Sequence, residues 1–151
     1  MSTERLNIQH VDPQAVQSMY DMEKYIHSGP LGEDLLALVK IRASQINACA
    51  YCLDMHAKEA RAAGVDQRKL DVLAGWRKAA ALFSDREQAA IALTEAVTLI
   101  SAGGVPDEIW DAAETHFREN EMPMLLMAIS AINVWNRLAI ATHQELPNMP
   151  V

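Results

Sequence analysis

The stretch from Leu35 to Ile46 sets the terms for the whole chain. Leu35, Leu36, Leu38, Val39, Ile41 and Ile46 spread apolar surface around more than one side of a helix. Such a helix needs partners on several sides, so it belongs deep inside a bundle. The rest of the sequence supplies those partners. Ala, Leu, Met, Glu, Gln and Arg recur, and all are good helix formers. Alanine clusters such as Ala79-Ala80-Ala81 and Ala60-Arg61-Ala62-Ala63 suit closely packed helices. β-branched runs bracketed by turn dipeptides, the mark of strands, are nearly absent. The expected fold class is therefore all-α.

Local signals divide the chain into seven or eight helices. Asp12-Pro13 reads as an N-cap with proline at the first helical position, and that helix runs to about His27 before Ser28-Gly29-Pro30. The buried helix starts near Gly32, with a break expected at Asn47-Ala48. A further helix runs from about Cys49 to Ala63, stopped by Gly64. Asp66 caps a short helix through Leu73, and Gly75-Trp76 interrupts it or joins it to the next segment. Ser84-Asp85-Arg86-Glu87 matches a capping box, opening a helix to about Ser101 that Gly103-Gly104 closes. Pro106 opens another through about Phe117, and Met122-Pro123 opens the last, ending near Thr142. The tail after Glu145 should be loose. No linker or repeat divides the 151 residues, so one domain over 1–151 is expected, with its core at about 15–142.

Half of the residues are hydrophobic, enough for a core without staples. The net charge of −7 argues against a nucleic-acid partner, which calls for a basic face. No apolar run approaches the ~20 residues that cross a bilayer, so no membrane partner is expected. Met1 to Val11 lacks the layout of a signal peptide. The expected location is the cytoplasm, where thiols stay reduced unless they are used.

The two cysteines lie three residues apart, in Cys49-Ala50-Tyr51-Cys52, with His56 four residues further on. On a helix these three side chains share one face. Positions i and i+3 lie roughly 5 Å apart at Cα, a separation that a disulfide tolerates. The first turn of a helix carries free N–H groups and partial positive charge, which favour the thiolate. His56 can serve as a base, or as a cation beside the sulfur. These groups suffice for a peroxide reaction that ends in a disulfide and is reset by a partner dithiol. Three other readings compete. A zinc site lacks further ligands at suitable spacing in His10, His27, His116 or His143. A thioredoxin-like module lacks the βαβ surroundings. The last alternative is two buried small hydrophobes beside a surface histidine.

Leu35-Leu36-Ala37-Leu38-Val39-Lys40-Ile41-Arg42-Ala43-Ser44-Gln45-Ile46-Asn47-Ala48-Cys49-Ala50-Tyr51-Cys52, followed by His56, resembles the carboxymuconolactone decarboxylase superfamily. The resemblance is closer to its alkyl hydroperoxidase D-like branch, which Thr94-Glu95-Ala96-Val97-Thr98 and Ile132-Asn133-Val134-Trp135-Asn136-Arg137-Leu138 also resemble. It implies an all-α fold, a homotrimer or homohexamer, and a cysteine-pair peroxidase acting on hydrogen peroxide or small organic hydroperoxides without a cofactor or metal. It further implies Cys52 as the peroxidatic cysteine, Cys49 as the resolving one, and His56 in the proton relay. The implied reductant is a dithiol, lipoyl-bearing or thioredoxin-like. Position on the helix alone would favour Cys49 as the nucleophile. The family's other chemistry is a lyase or isomerase acting on a small carboxylated lactone, and a non-catalytic redox sensor is a third reading.

The sequence departs from the family pattern at two places. The family's relay glutamate falls at Ala37, and Tyr51 stands where well-known members carry histidine. Glu95, on a stripe with Ile91, Ala92 and Leu99, is the first candidate to replace the missing carboxylate, with a pKa raised by burial. Its structural reading is an ion pair with Arg42 or Lys40. Glu33 is the second candidate; as a structural residue it would be a favourable first-turn charge. Met19, Met22, Met124 and Met127 could line a channel, though core filling is the better account. Trp76, Trp110 and Trp135 are read as packing or subunit contacts.

Overall fold

The computed structural model describes residues 3–147 and, among them, contains eight α-helices and no strand. They are α1 (Ile8–Val11), α2 (Pro13–His27), α3 (Glu33–Ile46), α4 (Ala50–Ala62), α5 (Gln67–Val72), α6 (Asp85–Thr98), α7 (Asp107–His116) and α8 (Met122–Thr142). A 3₁₀ stretch, Leu73–Leu82, follows α5, with non-helical backbone at Gly75 and Ala79. The Gly75 interruption expected from sequence is therefore present. The short α1, capped by Asn7, was not anticipated. Residues 144–147 follow α8 without regular structure; the rest of the expected loose tail lies outside the described residues.

α3 is the central helix. Every residue from Leu35 to Ile41 is buried, and α3 packs on α4, α6 and α8. On one side, Leu35, Leu36 and Val39 meet Ile26 of α2, Leu93 of α6 and Leu125 and Ile129 of α8. On the other, Leu38 and Ile41 meet Leu73, Trp76, Phe83 and Ile91. Met19 and Met124 fill the first of these cores, as packing rather than a channel.

One expectation is corrected here. α8 is long and apolar enough to cross a membrane by length and composition alone. Half of its most apolar window is buried against the bundle, and Leu125, Ile129, Ile132 and Asn136 are fully enclosed. Its apolar character is accounted for by service as a core helix.

Two caps position the cysteines. At the end of α3, Ala48 takes a left-handed conformation (φ 56°). Its N–H bonds to Gln45 O (3.2 Å), and the Cys49 N–H bonds to Ser44 O (3.0 Å). This is a Schellman closure, with alanine at the position that usually holds glycine. Cys49 then becomes the N-cap of α4, and its sulfur accepts the Cys52 N–H at 3.4 Å. The helix therefore starts one residue later than expected, and Cys49 occupies its tip.

Below this junction lies a partly buried polar network centred on the fully enclosed Asn136. Asn47 Nδ2 donates to Asn133 Oδ1 and to Asn136 Oδ1, both at 2.9 Å. Asn136 Nδ2 donates to Ser44 Oγ (3.0 Å), and Asn133 Nδ2 to Thr98 Oγ1 (3.0 Å). Buried amides persist only when paired, so this network holds the end of α3 in one register on α8.

Candidate active site

Cys49 and Cys52 are joined by a disulfide, with their Cα atoms 5.4 Å apart. Each is at most 2% exposed, packed with Ala43 of α3 and with Ile132 and Ala139 of α8. Cys49 also borders a small cavity of about 120 Å³ whose rim includes the exposed His143 and Gln144. The sulfurs bonded to each other are not available as a pair of zinc thiolates in this state.

His56 follows Cys52 by one turn and is 4% exposed. Its Nδ1 lies 2.8 Å from Glu59 Oε2. The hydrogen bond from His56 holds the Glu59 carboxyl below its usual range, against a smaller upward push from burial. Nδ1 is thus the donor in this pair. The other ring nitrogen, Nε2, is buried and has no hydrogen-bond partner. A neutral imidazole in this arrangement keeps a free lone pair on Nε2. The carboxylate that holds His56 is therefore Glu59, which the sequence reading missed. Its i,i+3 spacing from His56 was the available signal.

Neither expected carboxylate bonds to His56. Glu95 accepts from Trp76 Nε1 (2.9 Å), Arg42 (3.0 Å) and Arg77 (2.7 Å). Burial pushes its pKa up, but the hydrogen bonds from Trp76, Arg42 and Arg77 together outweigh this and leave it lowered. That reverses the raised value expected. Glu95 ties α3 to α6 and the 3₁₀ stretch; Arg42 is its partner as the structural reading had it, while Lys40 is not. Glu33 is largely exposed and pairs with His27 Nδ1 at 2.8 Å.

His56 and Glu59 border a cavity of about 460 Å³ that also touches Ala37, Met55, Tyr20 and Trp135. A second polar group shares this cavity. Lys40 Nζ donates to Glu23 Oε2 (2.7 Å) and to His27 Nε2 (2.8 Å). Trp135 Nε1 donates to Glu23 Oε1 (3.1 Å). So α2 brings a carboxylate into the cavity that Ala37 lines. Glu23 and Lys40 both broke the apolar pattern of their helices: Glu23 falls on the stripe of Val16, Met19 and Ile26, and Lys40 lies inside the run Leu35–Ile41.

An all-α bundle with a Cys-x-x-Cys helix tip beside a histidine defines a class, and sequence comparison gives it a family. The model of the carboxymuconolactone decarboxylase family matches residues 13–96, more than half of the chain, and the protein belongs to that family. The uncharacterized protein YdfG of Bacillus subtilis is 36% identical over 139 residues, covering 92% of this chain and 94% of its own. A crystal structure of an Agrobacterium tumefaciens protein of unknown function, described as a candidate antioxidant defence protein AhpD, superimposes with a TM-score of 0.92. It is 33% identical, with 97% of this chain and all of that chain covered. The fold is also shared with an uncharacterized peroxidase-related protein from Silicibacter sp. TM1040 (TM-score 0.77, 21% identity, 91% of this chain and 72% of that one).

Proposed function

We propose that this protein is a dithiol peroxidase in antioxidant chemistry, with Cys52 as the peroxidatic and Cys49 as the resolving cysteine. The observation that carries the reading is the bonded pair Cys49–Cys52 one turn from a histidine whose Nδ1 is anchored and whose Nε2 is free. In the reduced protein, His56 Nε2 takes the Cys52 thiol proton. The thiolate attacks the outer oxygen of a hydroperoxide, breaking the O–O bond to give Cys52 sulfenic acid and an alcohol or water. The Cys49 thiol then condenses with the sulfenic acid, forming the disulfide and releasing water. An external dithiol, lipoyl-bearing or thioredoxin-like, reduces the disulfide and is itself oxidised. Cys49 suits contact with that reductant, because it borders the small cavity with exposed rim residues.

The decisive experiment counts thiols in the pre-reduced protein after one equivalent of hydrogen peroxide. Two thiols are lost per chain, Cys52→Ser loses none rapidly, and Cys49→Ser stops at a sulfenic acid trapped by dimedone. Unchanged thiols in the native sequence refute the reading. We further propose that one domain carries the activity, that it acts in the cytoplasm, and that the chain forms a homotrimer or homohexamer. Apolar Leu6, Tyr20, Met55 and Leu138 gathered around a groove beside the site support association. Sedimentation velocity showing only monomer would refute that part.

A further inference from the structure

We propose that Lys40 is the general acid of this site, donating a proton to the oxygen that leaves when the peroxide bond breaks. The inference rests on the dithiol-peroxidase reading and assigns a residue to the protonation of the leaving oxygen. An ammonium buried in the middle of a core helix is costly unless paired. Lys40 is 5% exposed, and Glu23 supplies the opposite charge at 2.7 Å. Trp135 holds the other oxygen of that carboxylate. Glu23 and His27 take two of the three N–H donors of Lys40. Lys40 borders the cavity shared with His56, which leaves the third donor for an oxygen bound there.

The chemistry needs a second proton carrier. Attack at oxygen runs in line, so the leaving oxygen emerges on the side away from sulfur. His56 lies on the cysteine's own helix, whereas Lys40 reaches the cavity from α3. The leaving alkoxide takes a proton from the Lys40 ammonium, giving an alcohol and a neutral amine. The amine regains a proton from water at the outer edge of the cavity, where Glu33 is 62% exposed. His27 accepts from Lys40 at Nε2 and faces Glu33 with Nδ1, so it orients the ammonium and passes no proton in this step. Glu23 and His27 are positioning residues in this scheme.

The test compares oxidants by leaving group in single-turnover oxidation of pre-reduced protein. Hydrogen peroxide and tert-butyl hydroperoxide expel strongly basic oxygens, hydroxide and alkoxide, that need a proton at neutral pH. Peracetic acid expels a carboxylate of pKa about 4, which needs no proton. Lys40→Met should slow the first two by about 100-fold or more, and peracetic acid by less than about tenfold. The double variant Glu23→Gln/Lys40→Met removes both charges at similar volume and should show the same split if the single variant folds poorly. An equal loss with all three oxidants, or no loss with any, overturns the assignment. Failure of the native protein to lose thiols with any oxidant overturns the peroxidase reading itself, and this assignment with it.

Discussion

Replacing Glu59 with glutamine isolates the charge behind His56. The amide oxygen can still accept the Nδ1 proton, but the carboxylate charge is gone. Unit charges 4 Å apart attract by about 1 kcal/mol in water-like surroundings and about 4 kcal/mol at an effective dielectric of 20. Glu59 is 54% exposed, so the lower end applies. A loss of about 1 to 1.4 kcal/mol in imidazolium stabilisation corresponds to about a five- to tenfold slower reaction at neutral pH. The assay is the second-order rate of thiol oxidation by hydrogen peroxide from pH 5 to 9. The deficit should shrink toward pH 9, where a cysteine of ordinary pKa near 8.5 ionises unaided. A rate equal to native at pH 6 to 7 refutes the role given to Glu59. So does a deficit of the same size at every pH, which would mean damaged packing.

Asn136→Leu removes two hydrogen bonds, while Asn47 keeps Asn133 and Ser44 keeps the Lys40 carbonyl; it should cost about 1–3 kcal/mol in urea unfolding, whereas a change below about 0.5 kcal/mol would dismiss the network. Ala48→Gly relieves a left-handed alanine and should stabilise by at most about 1 kcal/mol, because glycine also gains freedom in the unfolded chain; marked destabilisation would contradict the cap. Glu121 is held below its usual pKa by the hydrogen bond from Arg86, against burial. Its contribution is complete above the unfolded value of about 4.3 and fades as pH falls through the lower folded value, so Glu121→Gln should flatten the acid limb of the stability curve. An unaltered acid limb would show that Glu121 titrates alike in both states.

What the sequence disclosed, and what it hid, follow from the range of each interaction. The capping box at Ser84 and Glu87, the proline entries at Pro13 and Pro123, and the break at Asn47-Ala48 are local, and each is found where the residues place it. The grouping of Cys49, Cys52 and His56 was legible for the same reason, since one helix carries all three. The acid groups around them were legible only in part. Searching along α3 for a carboxylate near Ala37 finds Glu33, which does border the cavity of His56 but pairs with His27. Searching by helix stripe finds Glu95, which three donors hold elsewhere. Glu23 reaches the cavity only because α2 lies against α8 and presents its 16–19–23–26 face inward. Periodicity can report that a charge sits on a buried face, but it cannot say which neighbour that charge will meet. For a small helical protein, a charged residue interrupting an apolar stripe is therefore the better guide to charged groups that line an internal cavity than distance along the chain from the cysteines. Lys40, flanked by Val39 and Ile41 on the most buried helix of this chain, is the clearest instance.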